Sequence, residues 1–292
     1  MSIVQTLEVP GYQVLQFIGS GACSTIWRVK DSQTGKLFAL KRVMKRQSSD
    51  YRFIEQAENE YEVARQLDHP VLRRMYSLRR TKRWLTLREI HLIMEYCEGQ
   101  TLQDSRPTGV AEVLRIFVKV GEALAYMNAQ GFVHADMKPN NILIAPGGAV
   151  KVIDFGQSCP LGTIKERIQG TPDFIAPEQV HRRPLDARTD VFNFGATLYW
   201  ALAGKAIATA IPKANSLMTI GPAGQPLDQI NPDVPSGLTK LVNDCIEPQP
   251  SRRPGTMNEV ASRLSLVAVK VSRDAVRANG ANGDSDETHA VA

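Results

Sequence analysis

The spacing of the apolar residues changes near residue 97, and this change limits the folds that the chain can adopt. Between residues 12 and 43, short runs rich in β-branched and aromatic residues are separated by polar or glycine-containing turns, a pattern typical of antiparallel hairpins. Residues 50–67 have the spacing of a helix, and two further strands are predicted around 72–79 and 90–96. The first third of the chain is therefore predicted to be a small β-rich region with one main helix.

The remainder of the chain has a mostly helical pattern. The segment GVAEVLRIFVKVGEALAYMNAQG predicts a strong amphipathic helix that ends at Gly131. Two short apolar runs, NILIA and AVKVIDFG, predict a hairpin with PGG as its turn, and helices are expected through much of 188–268. Residues 269–292 end in a polar stretch rich in glycine and asparagine, which predicts a disordered C-terminal tail. The expected fold class is α+β, with a small antiparallel β-rich part followed by a larger α-helical part.

The composition excludes several classes of protein. The chain is 43% hydrophobic and 22% charged, as in ordinary globular proteins, and its net charge of +5 is too small to indicate nucleic-acid binding. The four cysteines are scattered without a CxxC pair, which favours a reducing, cytoplasmic compartment over a disulfide framework or a zinc site. No basic start precedes an apolar run, and the longest apolar stretch, from Phe192, is too short to span a bilayer. We therefore expect neither a signal peptide nor a membrane segment.

A glycine-containing stretch and a lysine on an apolar strand are the first candidates for a site. GSGACSTI, residues 19–26, lies between two predicted strands, which argues against a dinucleotide-binding turn because that turn needs a helix directly after the glycines. Such a loop lets backbone N–H groups approach phosphates, although a merely flexible hairpin has the same pattern. Lys41, in FALK, needs an anionic partner unless it lies on an edge strand and reaches solvent. On the helix that follows, spacing alone does not separate Glu58, Glu60 and Glu62 as that partner.

The stretch FVHADMKPNNILI places a polar group between two apolar anchors, and this group cannot be buried without partners. Further along the chain, Asp154 ends an apolar strand in DFG, so its carboxylate is presented at a strand end. Asn141 and Asp154 supply neutral and anionic oxygen ligands, which suit Mg²⁺. Each residue alone could cap a turn, but turn capping does not explain four such motifs in this order.

Taken in order, the motifs resemble those of a protein kinase catalytic domain of the serine/threonine type, of the kind found in bacteria, over about residues 11–268. GSGACSTI resembles the glycine-rich loop, FALK the ATP-anchoring lysine, HADMKPNN the catalytic loop and DFG the metal-binding turn. GTPDFIAPE is similar to the end of the activation segment, TDVFNFGATLYWALAG to the central buried helix and PSRRP to the late arginine motif. The resemblance implies a two-lobed fold, with a β-rich N-lobe over about 11–96 and a mostly helical C-lobe over about 97–268.

The resemblance also implies an enzyme that transfers the γ-phosphoryl group of ATP, with Mg²⁺, to serine or threonine hydroxyls of protein substrates. Asp136 would accept the proton of the substrate hydroxyl or orient it, and Lys138 would meet the γ-phosphate. Asn141 and Asp154 would hold Mg²⁺. The residues that would bind ATP are Ile18, Gly19, Ser20, Gly21, Ala22, Cys23, Ser24, Thr25, Ile26, Ala39, Lys41, Glu60, Met94, Glu95 and Cys97. The residues that would support the site structurally are His134, Glu178, Asp190 and Arg253.

Two departures from the family pattern carry expectations of their own. Ser24 replaces the third loop glycine, and we expect ATP binding to be retained because the first two glycines make the closest approach. Ala135 replaces the arginine that in the family pairs with a phosphorylated residue of the activation segment. The sequence therefore predicts an activity that does not depend on phosphorylation of that segment. The hydroxyl residues between Gly156 and Ala176 are Ser158, Thr163 and Thr171.

Other functions stay open at this level. A catalytically weak, ATP-binding scaffold is the main alternative, although the retention of Lys41, Asp136, Asn141 and Asp154 argues against it. A small-molecule kinase is a further alternative, but the resemblance of GTPDFIAPE to a peptide-substrate platform argues against that class. The basic run over 73–88 is either a solvated face or a docking surface for an acidic partner. The sequence does not identify the protein substrate.

Overall fold

The computed structural model describes residues 7–83, 86–207 and 227–283. The described residues form two compact units. The first contains the residues up to Thr101 together with Asn141–Pro160, and the second contains Leu102–Asn140 and the residues from Leu161 onward. The α+β fold class, with an antiparallel β-rich part and a helical part, is confirmed.

The first unit is built on an antiparallel sheet whose five described strands follow the order β1-β2-β3-β5-β4. These strands are β1 (Tyr12–Gly21), β2 (Ser24–Asp31), β3 (Leu37–Met44), β4 (Met75–Arg83) and β5 (Thr86–Glu95). Helix α1 (Tyr51–Ala64) covers one face, where Ile54 and Ala57 pack against Val43, Ile90 and Leu92. The predicted strand at 72–79 begins later, at Met75, because Leu72 instead forms an isolated parallel bridge with Val152.

Alternation along β3 decides which side chains meet α1. Leu40 belongs to the core on the opposite face, with Val29 and Ile93, so Ala39, Lys41 and Val43 point to the face that α1 covers. A lysine is thus placed between two buried apolar residues, beneath a helix. That helix is in a position to supply a counter-charge.

A smaller sheet completes the first unit, with strand order β6-β8-β9. Its strands are β6 (Gln100–Thr101), β8 (Ile142–Ile144) and β9 (Val150–Val152), and a further short strand of this unit is β10 (Cys159–Pro160). The β8–β9 hairpin with PGG at its turn was predicted from the sequence, and it is present. This hairpin pairs with β6, and Arg73 donates its backbone N–H to the Val152 carbonyl at 2.9 Å. The resemblance implied a single lobe boundary between residues 96 and 97. The first unit instead extends to Thr101 and also includes Asn141–Pro160.

The second unit is mainly helical. Its elements are α2 (Val110–Ala129), the short strand β7 (Phe132–Val133), α3 (Pro177–Val180), α4 (Ala187–Ala203), α5 (Leu227–Ile230), α6 (Ser236–Cys245) and α7 (Met257–Gly283). Helix α4 is buried on nearly all sides and packs against α2, α6 and α7. Phe117 of α2 meets Phe194 of α4 edge to face, with the ring centroids 5.4 Å apart. The predicted helical content of 188–268 is confirmed where that range is described, and residues 208–226 lie outside it.

The prediction of a disordered tail over 269–292 is wrong for residues 269–283, which continue helix α7. The glycines and asparagines that suggested disorder lie close to the end of this segment. Residues 257–279 contain neither glycine nor proline, and one face of α7 packs along α2. Residues 284–292 lie outside the described residues.

Candidate functional site

The glycine-containing stretch forms the closed end of the β1–β2 hairpin. Gly19 lies opposite Ile26, and Ala22 and Cys23 form the turn. Cys23 has φ 57°, a left-handed conformation that is uncommon outside glycine. A Cβ at Gly19 would meet no atom within 4 Å, so the backbone at this position is open to a ligand. The remaining predicted residues of this hairpin are Ile18, Ser20, Gly21, Ser24 and Thr25.

The partner of Lys41 is Glu60. Lys41 Nζ donates to Glu60 Oε2 at 2.6 Å, and the two side chains are 15% and 0% exposed. Glu58 pairs with Arg80, and Glu62 lies near Arg65 on the helix surface. The helical period does distinguish Glu60 from the other two glutamates. Position 60 lies on the buried face of α1 with positions 54, 57 and 64, whereas positions 58 and 62 do not.

The electrostatic environment keeps Lys41 charged. Burial acts to lower the pKa of Lys41, but the carboxylates of Glu60 and Asp154 outweigh it, so the pKa lies above its ordinary value. A charged ammonium group at this position is a suitable ligand for phosphate oxygens, which carry negative charge.

A second cation on Glu60 was not found from the sequence. Arg73 is 9% exposed, and its Nη2 atom lies 3.7 Å from Glu60 Oε1, the oxygen that Lys41 does not contact. The basic run was interpreted as one solvated or partner-binding surface, but its first residue faces inward. The neighbouring Arg74 does lie at the surface, where it contacts Asp68.

A small cavity of about 180 Å³ lies beside this ion pair, within the first unit. It is lined by the loop residues Gly21, Ala22 and Ser24, the β3 residues Lys41 and Val43, the α1 residues Phe53, Gln56 and Ala57, and Asp154. Gly156 lies next to the Gln56 side chain of α1, and a Cβ there would lie 2.7 Å from Gln56 Nε2. The cavity is therefore bordered by the closed end of the β1–β2 hairpin, by the Lys41 ammonium group and by the Asp154 carboxylate.

Asn141 and Asp154 supply oxygen ligands from adjoining segments. The backbone carbonyl of Asn141 accepts the N–H of Ile153 at 3.0 Å, and Asp154 Oδ1 accepts the N–H of Gly156 at 2.8 Å. Asp154 lines the cavity with Lys41, and Asn141 is buried. One amide oxygen and one carboxylate form a donor set that fits a hard divalent cation such as Mg²⁺.

The residues expected around a purine base lie on β3, on β5 and in the segment that follows. Ala39 and Met94 are buried and pair across β3 and β5. The Glu95 side chain is held by Lys151 Nζ at 2.7 Å, and its backbone N–H donates to the Arg74 carbonyl. Burial, followed by the charge of Glu95, raises the pKa of the Cys97 thiol to about 11, so this thiol is un-ionised at neutral pH.

In the second unit, Asp136 forms a closed polar triad. Lys138 Nζ donates to Asp136 Oδ2 at 2.7 Å and to Thr171 Oγ1 at 2.8 Å, and the Thr171 hydroxyl donates to Asp136 Oδ1 at 3.1 Å. The sequence predicted Asp136 and Lys138 as catalytic and placed Thr171 in a substrate platform. The structure joins all three, which links the catalytic-loop sequence to the activation segment.

The backbone of this loop is held from helix α4. Asp190 Oδ2 accepts the N–H of His134 at 3.0 Å and an amide hydrogen of Asn128 at 2.8 Å, while Oδ1 accepts the N–H of Ala135 at 2.9 Å. Burial raises the pKa of Asp190, although the charge of His134 and these hydrogen bonds act in the opposite direction. The Thr197 hydroxyl lies 3.1 Å from the Met137 carbonyl, so α4 contacts the loop at several points.

The ion pair expected between Glu178 and Arg253 is present and buried. Arg253 Nη1 and Nη2 donate to the two carboxylate oxygens of Glu178 at 2.7 and 3.0 Å. The guanidinium also donates to backbone carbonyls of Glu247, Pro248 and Arg188. Every N–H group of the guanidinium thus has an acceptor, and the ion pair joins three segments of the unit.

Sequence reasoning missed one further polar residue here, Gln179, which is 4% exposed. It follows Glu178 in the short helix α3, and its side chain reaches the carbonyl of Ala135 at 2.7 Å. No local motif signals this contact, because its two ends are more than forty positions apart.

Within the described ranges, no helix combines the length and the hydropathy that crossing a membrane requires.

Comparison with known proteins gives a consistent result. The sequence profile of the family described as "Protein kinase domain" matches residues 12–264. A probable serine/threonine-protein kinase of Clostridium acetobutylicum is 28% identical over 265 residues, covering 88% of this chain and 40% of the relative. The serine/threonine-protein kinase PknA of Mycobacterium tuberculosis is 28% identical over 258 residues, which cover 83% of this chain and 58% of PknA. The serine/threonine-protein kinase TIO of Arabidopsis thaliana is 30% identical over 205 residues, which cover 68% of this chain and 15% of TIO.

The chain thus spans less than two thirds of the length of each of these relatives. The profile match covers most of the chain and includes the Lys41 strand, the Asp136 loop and the DFG turn. The chain belongs to the protein kinase domain family.

Proposed function

We propose that the protein is a serine/threonine protein kinase that transfers the γ-phosphoryl group of Mg-ATP to hydroxyl groups of protein substrates. The observation that carries the proposal is the triad of Asp136, Lys138 and Thr171, in which a carboxylate and an ammonium group are held together beside a loop. The names of the relatives favour serine and threonine as acceptors. So does the lysine two residues after Asp136, which matches the serine/threonine pattern of the resemblance.

Residues of the first unit would bind the nucleotide. Lys41, fixed by Glu60, would contact phosphate oxygens, and the open backbone of the β1–β2 turn would cover them. Ala39 and Met94 would border the base, while backbone groups of Glu95 and Cys97 would form hydrogen bonds to it. Asn141 and Asp154 would hold Mg²⁺, which supplies charge stabilisation of the phosphates when bound.

Residues of the second unit would act on the acceptor. Asp136 would accept the hydroxyl proton or orient the hydroxyl for attack, and Lys138 would stabilise negative charge on the transferring group. Positioning and electrostatics supply most of the rate enhancement in this kind of reaction. The backbone anchors from Asp190 therefore matter for rate as well as for stability.

The test is transfer of label from radiolabelled ATP, with Mg²⁺, to a generic protein substrate. We expect phosphoserine and phosphothreonine in the wild type, and a rate about 10²–10⁴-fold lower for Asp136→Asn, because the general base is lost. The exposed Asp228→Asn serves as a matched control that should retain the wild-type rate. Nucleotide binding without transfer to any substrate would contradict the proposal and favour an ATP-binding scaffold.

We further propose that activity does not require phosphorylation of the activation segment. Ala135 stands where the family arginine would pair with a phosphate. Ser158 is 0% exposed, and the hydroxyl of Thr171 is engaged by Lys138 and Asp136, so neither is an accessible phosphorylation site in this conformation. Thr163 is the remaining hydroxyl of the segment.

Replacing Ser158 and Thr163 with alanine should leave turnover near the wild-type value. The measurement is the turnover number of the double variant beside that of phosphatase-treated wild type, with mass spectrometry to verify the phosphorylation state. A collapse of the rate in either sample, with the thermal midpoint unchanged, would refute independence from phosphorylation.

We also propose that residues 11–268 form the catalytic domain and that it acts in the cytoplasm. All four cysteines belong to the described residues and are free thiols, which fits a reducing compartment.

A further inference from the structure

The side-chain amide of Gln179 uses its full hydrogen-bonding capacity inside the second unit. Nε2 donates to the carbonyls of Ala135 at 2.7 Å and Gln169 at 3.3 Å. Oε1 accepts the backbone N–H of Ala176 at 2.9 Å and an amide hydrogen of Asn193 at 3.0 Å. An amide has two donors and two acceptor positions, so no capacity is left over.

The orientation of this amide is determined by its partners. A backbone N–H can only donate, and backbone carbonyls can only accept, so Oε1 must face Ala176 and Nε2 must face Ala135 and Gln169. Asn193 of α4 fixes the arrangement from behind, since its second amide hydrogen goes to the Phe174 carbonyl at 2.6 Å. Gln179 and Asn193 are 4% and 1% exposed, so water does not compete for these bonds.

The residue that Gln179 contacts in the loop has a strained backbone. Ala135 has φ 60°, in the left-handed region, where a residue with a Cβ is held only if its surroundings impose it. Its N–H is bound by Asp190 and its carbonyl by Gln179, so the conformation is imposed from both sides. Asp136 follows directly, and the direction of its side chain depends on this peptide.

The same amide holds the activation segment at two places. Gln169 lies before Gly170 and Thr171, and Ala176 lies after them. Gly170 has φ 133°, and a Cβ there would lie 3.4 Å from Gln179 Nε2 and 3.1 Å from Ile175, so the chain needs glycine to pass this close. The stretch that delivers Thr171 to Asp136 is thereby braced at both ends.

We propose that Gln179 is a positioning residue that joins the catalytic loop to the activation segment, and that it replaces the brace which a phosphate on the segment would form with an arginine at position 135. This inference rests on the proposed kinase function. It gives a structural reason why the chain can carry alanine at position 135. The hydrogen bond from the neutral Gln179 amide to the Ala135 carbonyl needs neither an arginine nor a phosphate.

Two variants test the assignment. Gln179→Leu removes all four hydrogen bonds, and Gln179→Glu keeps an oxygen for Ala176 and Asn193 but loses donation to Ala135 while the new carboxylate is ionised. We expect the turnover number to fall by about tenfold or more in both variants near pH 7, with the KM for ATP unchanged, because a misplaced catalytic group costs rate and not nucleotide affinity. The matched control is Gln130→Leu, at the exposed end of α2, which should retain the wild-type turnover.

The pH profile separates positioning from a general loss of structure. When the carboxyl group introduced by Gln179→Glu is protonated, it can donate one hydrogen bond to the Ala135 carbonyl, so the ratio of the Gln179→Glu rate to the wild-type rate should rise as the pH is lowered. A turnover of Gln179→Leu equal to that of the wild type would overturn the proposal, and so would a ratio that does not change with pH.

Amide hydrogen exchange of the unliganded protein distinguishes failure of this inference from failure of the proposed function. Exchange at residues 135–137 and 169–176 should be faster in Gln179→Leu than in the wild type and in Gln130→Leu. Unchanged exchange there would overturn the inference even if the wild type is an active kinase. If the wild type transfers no phosphate but exchange does increase, the brace stands and the kinase function fails.

Discussion

Glu60 has one carboxylate oxygen for each of two neighbouring cations. Lys41 occupies Oε2 at 2.6 Å, and Arg73 lies 3.7 Å from Oε1, so the two cations do not compete for the same oxygen. Without Arg73, a buried carboxylate oxygen would face no positive group. A charged group that loses its partner inside a protein costs more than a contact at the surface gains.

Arg73→Met should therefore lower the free energy of unfolding by about 1–3 kcal/mol, whereas Arg74→Met should change it by less than about 1 kcal/mol, since Arg74 and Asp68 are both exposed. Urea denaturation of the two variants measures the difference. In a Glu60→Gln background, Arg73→Met should cost much less, because the charge that it balances has gone. Equal losses for Arg73→Met with and without Glu60 would assign the effect to packing alone.

At the scale of elements, two glycines in the middle of helices have opposite roles. Gly195 lies on α4, where a Cβ would be 2.5 Å from the Cβ of Cys245 and 3.1 Å from Ile246. Gly121 lies on α2, where a Cβ would meet Ala261 at 3.4 Å, an ordinary van der Waals distance. The α4–α6 contact therefore requires glycine, and the contact of Gly121 with α7 does not.

Gly195→Ala should destabilise the protein by about 1–3 kcal/mol, since Cys245 Cβ is attached to the α6 backbone and cannot move away alone. Gly121→Ala should be neutral or stabilise the protein by up to about 1 kcal/mol, because alanine is the better helix former. Thermal unfolding of the two variants measures both effects. A stabilising Gly195→Ala would contradict the close approach of α4 and α6.

At the scale of the whole molecule, α7 extends beyond the end of the family match at residue 264. Ala268, Val269, Ser272 and Arg273 of this extension border a groove with Ala111, Val118 and their neighbours on α2. Further along, Val276 is 72% exposed. The first turns of the extension thus contribute to the packing of the second unit.

A truncation after Leu264 should lower the thermal midpoint by several degrees, because it uncovers apolar surface of α2 that α7 now borders. A truncation after Arg277 retains the residues that border this groove, and it serves as the control for shortening the chain. If both truncations have the same midpoint, the extension does not contribute to stability. Scanning calorimetry makes the comparison directly.

The amino-acid sequence by itself determined the succession of the main strands and helices, the β8–β9 hairpin and the motifs that identify the family. These features depend on local periodicity, turn chemistry and residue spacing, all of which act over a few positions. The period of α1 also favours Glu60, the glutamate that the family resemblance had indicated. The same local reasoning failed at residues 269–283, where polar and glycine-rich composition near the end concealed a helix that packs on α2.

Only the tertiary structure decided the contacts between residues that are distant in the chain. It turned Arg73 inward to Glu60, joined Thr171 to Asp136 and placed the Gln179 amide between Ala135, Gln169 and Ala176. Nothing in the neighbouring residues indicates these partners, because a buried polar side chain takes whichever donors and acceptors the packing of distant elements presents to it. The motifs indicate which chemistry is available, and the packing of α3 and α4 against the loop fixes how that chemistry is held.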